Sequence, residues 1–132
     1  MEIFIDKNDD LKSAKGGVYA LGNFDGVHLG HKEIISNVIK ISRSKKITSG
    51  VLIFDPHTRN YFNPKLDDFI LSDIKTRSYL LEKTKLDFLG ILKFDEAMSN
   101  LSPREFIEKV IKDRVGVSHL IVGYNFRFGK NR

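Results

Sequence analysis

The sequence contains no cysteine and no long apolar run. The absence of Cys among 132 residues excludes disulfides, thiolate catalysis and cysteine-ligated zinc, and it is typical of a reducing compartment. No apolar run approaches the roughly 20 residues that span a bilayer. A signal peptide begins with basic residues followed by a long apolar stretch. The opening residues here, MEIFIDKNDD, contain acidic residues instead. The sequence therefore predicts a cytoplasmic protein without a membrane segment.

The composition fits one globular domain with a modest excess of positive charge. Hydrophobic residues make up 41% and charged residues 30% of the chain, enough for a real core. The net charge of +5 suits anionic small molecules as well as nucleic acid. The one dense basic run, residues 43–46, follows a predicted helix, where cations face the negative end of the helix dipole. We expect no nucleic-acid partner and keep nucleic acid as a minor alternative.

Four apolar runs predict strands. Val18–Leu21 and Gly50–Phe54 are continuous and end at Gly22 and Asp55-Pro56, as expected of strands that are buried on both faces. Two further runs, 86–92 and 119–122, predict a third and a fourth strand.

Helical patterns separate these strands. Apolar residues recur at helical spacing from Gly30 onward, Ser72 is a plausible N-cap after a polar loop at 58–69, and residues 102–105 combine a capping box with proline. The alternation predicts an α/β protein with a Rossmann-like parallel sheet flanked by helices. Such a sheet usually continues with another strand and helix, so we expect residues 1–132 to form an incomplete domain.

The first strand-to-helix corner, GNFDGVHLGH at 22–31, has the features of a phosphate site. In a parallel sheet, ligands gather beyond the carboxyl ends of the strands. Gly22, Gly26 and Gly30 allow close approach of a ligand, and the following helix directs free N–H groups at it. The corner matches neither the Walker loop nor the G-x-G-x-x-G pattern.

Two histidines, His28 and His31, give this corner its chemistry. Imidazole N–H donors added to backbone N–H groups can stabilise the charge that builds on a phosphoryl group during transfer. Three alternatives stay open at this point. The histidines can merely cap or pack the turn, one can become a covalent phosphohistidine, or they can bind a metal, although no third ligand stands at a metal-site spacing beside them.

The corner resembles the nucleotidyltransferase signature of the bacterial FAD synthetases, the bifunctional riboflavin kinase/FMN adenylyltransferases. Residues 53–57 resemble the second motif of that family, 86–94 its third strand, and 123–129 its G-x-[DN]-F-x-F-G motif. The resemblance covers nearly the whole chain. It implies a nucleotidyltransferase that transfers AMP from ATP to FMN, with Mg²⁺ assisting, and gives FAD and pyrophosphate. The riboflavin kinase domain is expected only in a longer chain, so we expect no kinase activity from these residues.

The resemblance also implies roles for individual residues. The catalytic residues would be His28, His31 and Asn125. The residues that would bind ATP are Gly22, Asn23, Phe24, Asp25, Gly26, His28, Gly30, His31, Gly123, Asn125 and Arg127. The residues that would bind FMN are Asn23, Phe54, Pro56, His57, Phe62, Asn125 and Phe128. No metal ligand is identified.

Alternatives remain for several of these assignments. Asn23, Asp25 and Asn125 are also ordinary turn residues. A phenylalanine at a strand end, such as Phe54, is as often a core residue, and His119 is expected to be structural. The rival functions are another H-x-G-H nucleotidyltransferase, acting on phosphopantetheine, nicotinamide mononucleotide or glycerol phosphate, and a nucleotide- or flavin-binding module without catalysis.

Overall fold

A computed structural model of the protein describes residues 2–5, 12–22, 29–55 and 85–123. In these residues five parallel strands form one sheet in the order β1-β4-β3-β2-β5. The strands are β1 Glu2–Ile5, β2 Val18–Leu21, β3 Ser49–Asp55, β4 Phe88–Lys93 and β5 His119–Val122. The predicted α/β class and the parallel sheet are therefore confirmed. The loop predicted at 58–69 and the helix predicted at Ser72 lie outside the described residues.

The helices differ more from prediction than the strands do. The described helical elements are a 3₁₀ turn Lys12–Ala14, α1 Leu29–Lys45, α2 Glu96–Ser99, α3 Pro103–Glu105 and a π-helical segment Phe106–Val115. The predicted capping box is present, because Ser102 Oγ accepts from Glu105 N at 3.1 Å and Glu105 Oε1 accepts from Ser102 N at 2.9 Å. The π-helical form of Phe106–Val115 was not predicted, because the spacing of its buried residues also fits an α-helix.

Two strand assignments required correction. β1 was missed because its apolar run, Ile3–Ile5, has only three residues, of which only Phe4 is buried. It forms by pairing with β4, with Ile3 opposite Leu89. The strand predicted to begin at Leu86 begins at Phe88 instead, because the carboxylate of Asp87 accepts from Ser49 N at 2.9 Å before the regular ladder starts.

The sheet is covered on both faces, as its continuous apolar strands require. On one face Ile35 and Val38 of α1 pack in a cluster with alternate strand residues such as Val51 and Ile53. On the other face Phe106 of the π-helical segment packs in a cluster with the intervening residues. Neighbours along a strand therefore belong to opposite layers. The sheet is thereby held as a rigid platform between two apolar layers.

Tyr19 is the largest fully buried side chain of this core that carries a polar group. Its hydroxyl donates to the carbonyl oxygen of Ala14 at 3.0 Å, which satisfies the group inside the core. Burial raises the pKa of Tyr19 well above its usual range, and the nearby carboxylate of Asp87 raises it further. Tyr19 therefore stays neutral in the folded protein far above neutral pH.

Candidate functional site

Two glycine corners lie side by side at the carboxyl edge of the sheet. β2 pairs with β5 in parallel, with Leu21 opposite Val122, so Gly22 and Gly123 are the next residues on the two neighbouring strands. Gly22 N also donates to the carbonyl oxygen of Leu52 at 3.1 Å, which fixes the end of β2 against β3. The starts of the two sequence motifs, 101 residues apart in the chain, thus meet in space.

The strand order places these corners at a topological switch point. The chain leaves β2 through α1 and enters β3 on one side, whereas β5 returns to the other side of β2. Connections that leave in opposite directions open a crevice beyond the carboxyl ends of the two strands, and this is where open α/β sheets bind ligands. The crevice lies at the carboxyl ends of β2 and β5, where the motifs 22–31 and 123–129 begin.

The beginning of α1 borders the same crevice. The helix starts at Leu29, so Gly30 and His31 lie in its first turn, and no acidic residue stands in that turn. The first turn itself therefore places no carboxylate against the free N–H groups and the positive end of the dipole of this 17-residue helix. Lys32, which is exposed in the same turn, adds a positive charge. The arrangement suits an anion such as a phosphate group.

Gly123 lies close to this helix but has room beside it. A Cβ atom built on Gly123 would meet Ile34 Cδ1 at 3.6 Å, an ordinary van der Waals contact. Packing against the described residues therefore does not require glycine at this position. A glycine at this edge leaves the backbone accessible to a ligand in the crevice.

The structure describes only some of the predicted site residues. It brings Gly22, Gly123 and the helical turn with Gly30 and His31 to one edge of the sheet. The predicted residues that lie outside the described part are Asn23, Phe24, Asp25, Gly26, His28, Pro56, His57, Phe62, Asn125, Arg127 and Phe128. Their roles, and those of the histidine pair as a whole, stay predictions.

Phe54 belongs to the core. Its side chain is 0% exposed, and its ring lies 5.4 Å from Phe94 in an edge arrangement at 83° and 5.8 Å from Phe106. These contacts correspond to the core alternative that the sequence left open. The ring is closed off from solvent, and its contact with a flavin stays a prediction.

Two charged residues to which the sequence assigned no role of their own stand at the same edge. Asp55 ends β3 and Lys93 ends β4, and the two stand opposite each other in the parallel register. Both side chains are exposed. The available signal was position alone, since each is the first charged residue after a buried apolar run.

No three His, Asp or Glu side chains among the described residues come together as a set of metal ligands.

The chain is similar to proteins of a known family. The model of the family described as FAD synthetase matches residues 10–132. The chain belongs to the FAD synthetase family. The match includes both glycine corners and the strands that carry them, so the family assignment and the geometry of the sheet edge rest on the same residues.

Curated relatives agree with this family. The chain is 34% identical over 113 residues to a bifunctional riboflavin kinase/FMN adenylyltransferase of Buchnera aphidicola, a match that covers 86% of the chain and 36% of the relative. It is 33% identical over 125 residues to the protein of the same name in Bacillus subtilis, covering 94% of the chain and 38% of the relative. The match therefore spans little more than a third of the length of these relatives.

A solved structure supports the fold. A crystal structure described as a macrolide-efflux protein of Streptococcus pneumoniae superposes with a TM-score of 0.82 and 24% identity, covering 99% of this chain and 44% of that one. At this identity the likeness shows the fold alone. No helix in the described ranges combines the length and the apolar character that crossing a membrane demands.

Proposed function

We propose that this chain is the FMN adenylyltransferase part of an FAD synthetase. It would transfer AMP from ATP to FMN and release FAD and pyrophosphate. The observation that carries the proposal is the meeting of Gly22 and Gly123 beside the start of α1, at the switch point of a sheet that belongs to this family. Membership of the family supports ATP and FMN as the substrates. The two glycines and the start of α1 support the proposed position of the phosphate groups.

The proposed reaction needs binding and charge stabilisation more than covalent chemistry. A phosphate oxygen of FMN forms a bond to the α-phosphorus of ATP while the bond from that phosphorus to the bridging oxygen of the β-phosphate breaks, and pyrophosphate leaves. In such an in-line displacement, positioning and electrostatics supply most of the rate enhancement. No protein nucleophile is required, which suits a sequence without cysteine.

The chain would contribute three groups to this reaction. The N–H groups at the start of α1 would hold phosphate oxygens, and the two glycines would let the nucleotide approach the backbone. His28 and His31 would donate to the charge that develops on the transferred phosphoryl group. Mg²⁺ would accompany ATP and neutralise part of its charge. The described residues include no group of three carboxylate or imidazole side chains that could hold the ion.

Further parts of the proposal concern the whole protein. We propose that the riboflavin kinase domain named in the relatives follows in a longer chain, and that the 132 residues alone have no kinase activity. ATP and FMN are the proposed partners, and a cytoplasmic location stays a prediction. The family and the anion-binding edge favour small phosphorylated substrates over nucleic acid, which stays a minor alternative.

Mixing the protein with FMN, ATP and Mg²⁺ tests the proposal directly. Flavin fluorescence should fall as adenine stacks on the ring in FAD, and one pyrophosphate should appear per FAD. A parallel panel would offer phosphopantetheine, nicotinamide mononucleotide and glycerol phosphate with labelled ATP. Turnover of one of these in place of FMN would identify a different nucleotidyltransferase. Binding of FMN and ATP without release of pyrophosphate would identify a non-catalytic module.

A further inference from the structure

An opposite-charge pair stands at the carboxyl edge of the sheet without being closed into a salt bridge. Asp55 and Lys93 are cross-strand neighbours in the β3–β4 ladder, and both side chains are exposed. Within the described residues neither side chain has an ion-pair or hydrogen-bond partner, although the two strands are only about 4.8 Å apart. Both charges are therefore available to a ligand at this edge.

The two residues lie on the same face of the sheet as α1. Side chains two residues apart along a strand point to the same face, and Ile53 and Ile91 pack in the apolar cluster that contains Ile35 and Val38 of α1. In a strand-helix-strand unit the helix runs back along the sheet, so its first turn stands at the carboxyl edge. Asp55 and Lys93 thus share both the edge and the face with the phosphate corner.

The backbone beneath the pair is rigid. Phe94 N donates to the carbonyl oxygen of Asp55 at 2.9 Å, which extends the ladder past both residues. The ring of Phe94 is buried against Phe54, and the next residue, Asp95, caps α2 by accepting from Met98 N at 2.8 Å. Exposed charges on a fixed backbone can bind a ligand without first ordering a loop.

Lys93 lies far enough from the first corner to bind an anion other than the one at the start of α1. Neighbouring strands are spaced by about 4.8 Å, so β4 lies about 10 Å from β2, beyond the ring of N–H groups at the start of α1. In the proposed reaction, which this inference takes as given, two phosphorylated substrates meet. In-line displacement requires the acceptor phosphate and the leaving pyrophosphate on opposite sides of the α-phosphorus. Donors on opposite sides of the α-phosphorus would therefore hold the two groups.

We propose that Lys93 binds the phosphate monoester of the flavin acceptor and thereby selects FMN over riboflavin, with Asp55 acting as an opposing charge. Asp55 lies on β3, between the phosphate corner and Lys93. Its carboxylate weakens the attraction of the edge for anions, so that the triphosphate of ATP stays at α1. The two residues therefore tune acceptor binding in opposite directions.

Calorimetric titration with FMN, riboflavin and ATP, each alone, tests this assignment by binding rather than by turnover. Lys93→Gln should weaken FMN binding roughly tenfold or more, the loss expected for one charge-assisted hydrogen bond, and leave riboflavin binding unchanged. Lys93→Arg should restore most of the affinity. Asp55→Asn should tighten FMN binding about two- to threefold, as removal of one exposed like charge predicts.

Lys112→Gln is the matched control. This lysine is also exposed, and it lies near the end of the π-helical segment, which leads back to the opposite edge of the sheet. The substitution removes the same charge from the molecule without touching the carboxyl edge, so FMN affinity should not change. An effect equal to that of Lys93→Gln would mean that net charge, not position, governs binding.

The outcomes separate this inference from the proposed function. If the parent protein forms FAD but Lys93→Gln binds FMN as well as the parent does, the assignment of Lys93 is wrong and the proposed function stands. Equal losses of FMN and riboflavin affinity, or a loss of ATP affinity instead, also overturn it. If the parent neither binds FMN nor forms FAD, both proposals fail. A loss confined to FMN, with rescue by arginine, supports the assignment.

Discussion

At the scale of single residues, the histidine pair is the main determinant of the proposed chemistry. We expect His28→Ala and His31→Ala each to lower the rate of adenylyl transfer by about 10²-fold or more, because each removes a donor aimed at charge in the transition state. Folding should survive both changes. Steady-state formation of FAD, combined with thermal unfolding, measures the two effects separately.

His119→Gln is the control for this experiment. His119 begins β5 at the amino edge of the sheet, where its Nδ1 lies 2.9 Å from Ser118 Oγ, and it takes no part in the proposed site. Turnover should be unchanged in this variant. If the His28 and His31 variants instead lost thermal stability in proportion to activity, the histidines would be turn-capping residues and not donors to the substrate.

The buried hydroxyl of Tyr19 predicts how stability depends on alkaline pH. Its pKa is raised in the folded protein, whereas a tyrosine in the unfolded chain ionises near pH 10, at about its ordinary pKa. Above that pH the unfolded state loses a proton that the folded state keeps. The free energy of unfolding should therefore fall as pH rises above about 10, and the contribution is fully present below it.

Urea unfolding of the parent protein and of Tyr19→Phe at several pH values from 8 to about 11.5 measures this effect. At pH 8 the variant should be less stable by about 1–3 kcal/mol, because the buried carbonyl of Ala14 loses its donor. Its stability should then fall less steeply with pH than that of the parent. Parallel curves would show that the ionisation of Tyr19 is not linked to folding.

At the scale of secondary structure elements, we expect a glycine at the end of a strand to serve ligand binding and a glycine inside a strand to serve packing. Gly123→Ala should leave thermal stability nearly unchanged, because the added methyl group would meet Ile34 at an ordinary contact distance. It should raise the KM for ATP, since the methyl group occupies the crevice where the nucleotide would approach the backbone. The steady-state KM and the melting temperature together test this prediction.

Gly90→Ala is the complementary variant within a strand. A Cβ atom there would lie 2.7 Å from Phe4 Cε2 and would also press on Leu52 in the core. We expect a loss of roughly 1–3 kcal/mol in stability through overpacking, with the KM for ATP unchanged in the protein that remains folded. Strong destabilisation by Gly123→Ala, comparable to that by Gly90→Ala, would mean that Gly123 is a packing residue.

At the scale of the whole molecule, the β5 edge of the sheet is where we expect association between chains. Among the described strands β5 pairs with β2 on one side only, and Val122 at its end is 47% exposed. Apolar edge strands invite pairing with another chain. We expect the 132-residue chain to self-associate as its concentration rises, and Val122→Lys to suppress this, as measured by sedimentation velocity.

Ile107→Lys controls for the loss of exposed apolar surface. Ile107 is 43% exposed, but it lies on the π-helical segment and not on a strand edge. The variant should associate as the parent does. If both lysine variants were equally monomeric, general hydrophobic attraction or net charge would explain the association, and edge pairing at β5 would not.

Local sequence determined much of this fold. Val18–Leu21 and His119–Val122 have the predicted bounds, and the Ser102 capping box forms as expected, because continuous apolar runs and hydrogen bonds between residues three apart depend on near neighbours. The position of the first glycine corner was also predictable, since the strand 18–21, Gly22 and a helix start near Gly30 follow one another in the chain.

Tertiary structure decided the rest. Phe54 and Ile53 are adjacent and equally apolar, so the sequence could not show which one faces α1 and which one packs against Phe106. β1 depends on a partner strand more than 80 residues away, and the meeting of Gly22 with Gly123 depends on the order of strands. The same order places Asp55 on the strand next to β2 and Lys93 one strand further away. Strand order follows from burial of both sheet faces at once, a long-range balance that local pattern does not contain.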